Sequence, residues 1–241
     1  MKKTFWKSDW FAGLLISLIF LVSGSGSLLQ GLERKAYDIG VQGSARDAGD
    51  KIAIIAIDDQ SIANIGRWPW SRETHAKMTD MLSAAQAKVI GNTVFFVEPQ
   101  IDPGLAYINK LAEFIAQSSI PTTAPEASGL DELLKQAQSA LNTDTKLAES
   151  LKQAGNVVLA MPFVIGEPQG NPDKPLPDYV SRNALTKIQD RVDAERTGML
   201  PIPTVSAFPP IPEIGEQAAA IGHLNANPDV DGAIRSEPLV L

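Results

Sequence analysis

Cysteine is missing from all 241 residues, and histidine occurs only twice, at His75 and His223. The first absence excludes a disulfide framework, a Cys-ligated zinc or iron–sulfur site and a thiol nucleophile. The second excludes a multi-histidine metal centre. Basic residues are outnumbered 21 to 28, and the net charge of −7 argues against a nucleic-acid-binding body. Nothing repeats with a collagen or solenoid period. There is no Gly-rich phosphate loop with a lysine, and no serine sits in a nucleophile elbow. Charged residues at 20% are too few, and the 44% hydrophobic share too large, for a disordered chain. What is there suffices for one substantial domain with a closed core, or two small ones.

The first thirty residues set the compartment. Lys2, Lys3 and Lys7 precede an apolar run from Trp10 to Val22, followed by Ser23-Gly24-Ser25-Gly26-Ser27 and Leu28-Leu29. The strict run makes about 20 Å of helix, short of the roughly 30 Å of hydrocarbon. Extended to Leu29 it reaches the required length, with the small residues tolerated where membrane helices pack closely. The lysines against Asp9 give the first ten residues +2, which leaves −9 of the total −7 for the remainder. The positive-inside tendency therefore keeps the N-terminus in the cytoplasm and exports the acidic body. Trp6 and Trp10 flank the run like interface anchors. The expected division is a cytoplasmic start (1–9), a transmembrane signal anchor (10–29), a juxtamembrane helix (30–46) and an extracytoplasmic domain (47–241). A cleaved secretory signal has the same basic start and short apolar centre and stays open as an alternative.

The body reads as α/β: a mostly parallel central sheet flanked by helices, with a C-terminal antiparallel hairpin. Ile52–Ile57 is apolar at every position, as strands buried on both faces are. Val94–Val97, preceded by Val89-Ile90, and Val157–Met161 are the other strand candidates. Helical periodicity marks 74–87, 106–117, 130–141 and 145–154. Ten of the 17 prolines fall between Pro162 and Pro212, so 166–180 and 200–213 are expected as extended loops around a weak helical piece near 181–196. Ile221–Asn225 and Ala233–Leu241 form the expected hairpin about a turn at 227–232. The sequence stops inside that last apolar run, which suggests a truncated domain.

Candidate binding residues gather after the strands. Asp58-Asp59 follow the first, and Glu98, Gln100 and Asp102 the second, on the edge of a parallel sheet where ligands usually sit. Such carboxylates can hold a divalent cation or act as an acid/base pair. Equally, Asp59 or Ser61 caps a short helix, and Asp102-Pro103-Gly104 is a turn. Gly66-Arg67-Trp68-Pro69-Trp70-Ser71-Arg72 is the most unusual stretch: two rigid indoles between two guanidiniums line a ligand pocket or form a packed loop in which Ser71 caps the next helix. Asn227-Pro-Asp229-Val-Asp231-Gly232 opens like a calcium loop, but the twelfth position, which needs a bidentate Glu, is Pro238; a tight Asp/Gly turn fits better. His75 and His223 are isolated and read as structural.

Together these residues resemble the second type of CHASE domain (cyclases/histidine kinases-associated sensory extracellular domain). The similarity rests on LLQGLERKAYDIGVQGSAR (28–46), KIAIIAIDDQSIANIGRWPWSRETHA (51–76), AKVIGNTVFFVEPQID (87–102) and HLNANPDVDGAIRSEPLVL (223–241), in that order. It covers most of the chain apart from 103–155 and 162–213. The resemblance implies an exported bacterial sensor module, set between a membrane anchor and further membrane helices that lead to a cytoplasmic cyclase or protein kinase. Its ligands are generally unidentified, so it supplies no catalytic residues. One departure is Asn92-Thr93, where the family's second strand usually carries an acidic residue.

The expectation is thus a binding module rather than an enzyme, without cofactor or resident metal. It takes an unknown small-molecule or environmental ligand near Asp58, Asp59, Arg67, Trp68, Trp70, Arg72 and Glu98. Its partners are that ligand and the membrane, not nucleic acid, and the helix over 28–42 pairs with a second copy as a homodimer. An exported metal-dependent hydrolase and a soluble periplasmic binding protein are the alternatives.

Overall fold

The computed structural model describes residues 9–24, 27–44, 49–100, 102–118, 125–167, 170, 175–186, 189–191, 193–198 and 200–240. The chain divides into two compact units, Met1–Asp59 and Gln60–Leu241.

The first unit holds α1 (Asp9–Gly24) and α2 (Ser27–Gly43). Among the described residues, no helix is long and apolar enough to cross a membrane. The expected juxtamembrane helix coincides with α2 as far as Gly43; its last residues, 45 and 46, lie outside the described part, as do residues 1–8 and 25–26 of the cytoplasmic start and anchor. Beyond α2, Ile52–Ile57 corrects the sequence reading. The run joins no ladder among the described residues, and Ile52 and Ile54 are 82% and 89% exposed. Continuous apolarity encodes a preference for burial, but not the strand that would provide it.

The second unit carries the sheet. It runs α3 (Asp59–Ile65, whose first residue belongs to the first unit), α4 (Arg72–Ala84), β1 (Ile90–Asn92), α5 (Pro103–Gln117), α6 (Pro125–Leu141), α7 (Thr143–Ala154), β2 (Val157–Met161), β3 (Phe163–Ile165), α8 (Asp178–Ser181), α9 (Ala194–Thr197), β4 (Thr204–Ala207), α10 (Pro212–Gly215) and β5 (Ala220–His223). Three strands make a parallel sheet in the order β1-β2-β5, with Ile90 opposite Val157 and Leu159 opposite Ile221. The α/β reading with parallel strands therefore holds. β2 has the bounds read from its apolar run, and the four long helices fall where the periodicity put them.

α4 and α7 pack against each other, burying Ala76, Leu147 and Leu151 with Val157, Leu159 and Ile214 in one core. Ser150 crosses the helix pair and donates to the Ala76 carbonyl at 3.0 Å. Asp102 begins α5 as its N-cap, accepting from the amides of Gly104 and Leu105 at 2.7 and 3.2 Å. Gly155 ends α7 in the left-handed conformation at φ +66°, which a side chain would disfavour.

Three further expectations are corrected. Val94–Val97 is not a strand: β1 stops at Asn92, whose Oδ1 accepts the Val94 amide at 2.9 Å and takes that donor from any ladder. The proline-rich stretch is not simply loop, for β3 and β4 pair antiparallel across it. Short helices occupy 178–181 and 194–197 instead of a helical piece through 181–196, with 187, 188 and 192 outside the described residues. Prolines forbid long helices, yet permit single turns and edge strands. Long-range hydrogen bonds organise this stretch. Tyr179 donates to the Pro210 carbonyl at 2.7 Å, and its ring lies so close to Gly215 that a β-carbon there would come within 2.5 Å of it. Asn225 both accepts from the Phe163 amide (2.9 Å) and donates to its carbonyl (2.6 Å), imitating a paired strand residue.

Finally, no strand follows β5 among the described residues, so the C-terminal hairpin is absent. β5 pairs with β2 in parallel instead, as an edge strand of the central sheet. The turn itself exists, with the Gly232 amide donating to the Asp229 carbonyl at 2.8 Å. Arg235 fills the place a cation would take: its guanidinium meets Asp229 at 2.7 Å and Asp231 at 2.9 and 3.0 Å.

Candidate functional site

A cleft of about 320 Å³ opens in the second unit between the Trp68-Pro69-Trp70 loop and the segment Thr93–Phe95, with Arg72 and His75 of α4 also lining it. Its volume is at the lower end of small-molecule sites.

The loop is held locally. Gly66 adopts φ +119°, and its carbonyl accepts the Trp70 indole N–H at 2.8 Å. The Trp68–Pro69 peptide is cis. Trp68 meets Trp70 edge-on, with centroids 5.5 Å apart and planes at 75°. It meets His75 at 5.9 Å and 83°, and His75 meets Phe96 at 5.4 Å and 77°. This edge-to-face chain leads from a half-buried indole to the fully buried Phe96. Each such contact is worth about 0.5–1.5 kcal/mol beyond the area it buries.

Arg72 is built into the framework rather than offered to the cleft. Its guanidinium lies over the Phe96 ring at 4.8 Å, and Nη2 donates to the Glu98 carbonyl at 2.8 Å. Nε faces Asp144 Oδ1 at 3.3 Å without hydrogen-bond geometry, so that contact is electrostatic, between side chains 14% and 7% exposed. Gln100 completes the junction. Its Oε1 accepts from the Arg72 amide at 2.8 Å and from Thr143 Oγ1 at 2.6 Å, while its own amide donates to Asp144 Oδ2 at 2.8 Å. The start of α4 is thereby satisfied by Gln100. Ser71 occupies the N-cap position but makes no side-chain cap bond, its hydroxyl lying 3.4 Å from that of Thr74.

Of the residues singled out in the sequence, Trp68, Trp70 and Arg72 come together at the cleft, and Glu98 joins them through its carbonyl while its residue is exposed. Arg67 is exposed and outside the lining. Asp58 and Asp59 close the first unit, both exposed, with Asp59 opening α3. Among the described residues, no group of three or more His, Asp or Glu is placed to hold a metal ion. The sequence reading took His75 as structural and passed over Asp144 and the role of Gln100. A histidine one helical turn after Ser71, in line with the indoles, was the available signal for the first.

His75 is 8% exposed. Among the described residues nothing hydrogen-bonds its ring nitrogens, and neither nitrogen is itself fully buried. Burial, and secondarily the Arg72 cation, lower its pKa below the ordinary 6.5. Being depressed in the fold, His75 contributes stability that is complete above pH 6.5 and declines as the pH falls below it toward the folded value. Urea midpoints taken between about pH 5 and pH 7 should fall with acidification, and His75→Phe should flatten that slope. An unchanged slope in the variant assigns the pH dependence to other groups.

The fold that carries this aromatic cleft is an α/β domain with a parallel sheet. The family model described as the CHASE2 domain matches residues 12–241, and the chain belongs to that family. CHASE2 domains are sensory extracellular domains of signalling proteins. No curated protein and no solved structure matches the chain.

Proposed function

We propose that this domain is the ligand-binding part of a bacterial membrane receptor, held at the cell membrane by its N-terminal segment with the main body in the periplasm. Binding, not catalysis, is its task; the output activity, a cyclase or protein kinase, belongs to a further domain. The cleft between the indole loop and Thr93–Phe95 carries the reading, because it pairs rigid aromatic walls with an imidazole whose nitrogens no described residue hydrogen-bonds. A ligand there shifts an equilibrium between two arrangements by its differential affinity for them. The helix over 28–42, paired with that of a second copy, conveys the shift toward the membrane.

Fusions after Arg46 test the compartment. Alkaline phosphatase joined there should be active and a green fluorescent protein dark; a bright fluorescent fusion with inactive phosphatase overturns the reading. A soluble periplasmic binding protein is the second reading. It is favoured by the length of α1, whose 16 residues make about 24 Å of helix. A mature N-terminus near Leu28, found in the soluble fraction, would establish it. The hydrolase alternative gains nothing from Asp102, which is committed to capping α5.

A further inference from the structure

We infer that the cleft takes an uncharged, planar nitrogen heterocycle, which inserts against Trp68 and Trp70 and exchanges a hydrogen bond with His75. The inference rests on the proposed ligand-binding role and narrows it to one chemical class.

Three observations exclude other classes. First, the lining includes one full cation, Arg72, and that charge is already answered. Asp144 faces it at 3.3 Å, the Glu98 carbonyl accepts from it at 2.8 Å, and the Phe96 face covers it at 4.8 Å. An anionic ligand would compete with a buried carboxylate for the same guanidinium. Second, no carboxylate lines the cleft, so a cationic ligand would find no counter-charge there. Third, the imidazole of His75 is more than nine-tenths buried and lines the cleft, yet no group among the described residues hydrogen-bonds it. Neither ring nitrogen is itself fully buried, so both can be reached from the cleft. The neutral form presents one N–H donor and one bare acceptor nitrogen. A ligand that carries both a ring N–H and a ring nitrogen can satisfy either, and its flat face suits the indoles and Pro69. The volume of about 320 Å³ admits a fused two-ring system.

Benzimidazole is the probe, with benzoate and choline as charged comparators, on the full chain in detergent at about pH 8. Because His75 and His223 are the only histidines, ¹⁵N-histidine labelling gives two imidazole signatures. Benzimidazole should shift the His75 ring nitrogens saturably and leave those of His223 in place. Trp68→Leu should weaken that binding at least about tenfold, as loss of a stacking face does. Calorimetry on His75→Phe, whose fold is checked by its urea midpoint, should show a comparable loss. If benzoate or choline moves the His75 signals and benzimidazole does not, the chemical class is overturned while the cleft stands as the site. If none of the three moves them, or if Trp68→Leu binds unchanged, the inference fails at the cleft itself. The compartment of the domain is decided separately by the Arg46 fusions.

Discussion

Arg72→Ala is expected to cost the domain about 3–5 kcal/mol, because it leaves the Asp144 carboxylate buried without its counter-charge. The same change strips the cover from Phe96 and frees the Glu98 carbonyl. Since whole domains have only about 5–15 kcal/mol of stability, the variant should approach unfolding at physiological temperature. Arg72→Lys retains the charge but not the fork that reaches Glu98 and Asp144 together, so it should recover only part of the loss. Replacing Arg72 and Asp144 jointly with leucine removes both buried charges and should be milder than the single alanine change. Urea midpoints of the four proteins decide the matter. A drop of less than about 0.5 kcal/mol for Arg72→Ala would release this residue from the framework and return it to the ligand.

Phe96→Ala is expected to be of similar size, about 3–5 kcal/mol, as for other large buried aromatics truncated to alanine. Phe96 is fully buried and supports both Arg72 and His75, and its carbonyl accepts the Ile211 amide at 2.8 Å. The accompanying signature is optical. With its floor removed, the His75–Trp68 pair loses its fixed geometry, and the near-ultraviolet circular dichroism of the indoles should diminish at temperatures where the far-ultraviolet spectrum is intact. An unaltered indole band would separate the cleft from the core beneath it.

How much of this was legible in the sequence follows from what local patterns encode. The helices over α4 to α7 were readable because Leu147, Leu151 and their counterparts recur at helical spacing. β2 was readable because Val157–Met161 is short, apolar and bounded by Gly155-Asn156 and Pro162. Pairing was not. Ile52–Ile57 looks more like a central strand than Ile90–Asn92 does, yet only the latter joins the sheet. The partner of a strand is a property of distant chain, and the same applies to β5, read as half of a hairpin but paired in parallel with β2. At the cleft, the indoles and Arg72 stood out by composition alone. What tied Arg72 into the framework was Asp144, 72 residues further along the chain and passed over in the sequence. Gln100 was noticed for its place after a strand, and its capping of α4 needed the three-dimensional junction to become visible.

The exposed stretch Ile52–Ile57 has a practical bearing on handling the protein. Six consecutive apolar residues rich in isoleucine, without charge or proline, make up the kind of segment that stacks with copies of itself into cross-β fibrils. Lys51 and Asp58-Asp59 bracket it and act as gatekeepers, since like charges brought into register repel one another. Concentrated salt weakens that protection by screening, so purified samples should stay clearest in dilute buffers of low ionic strength.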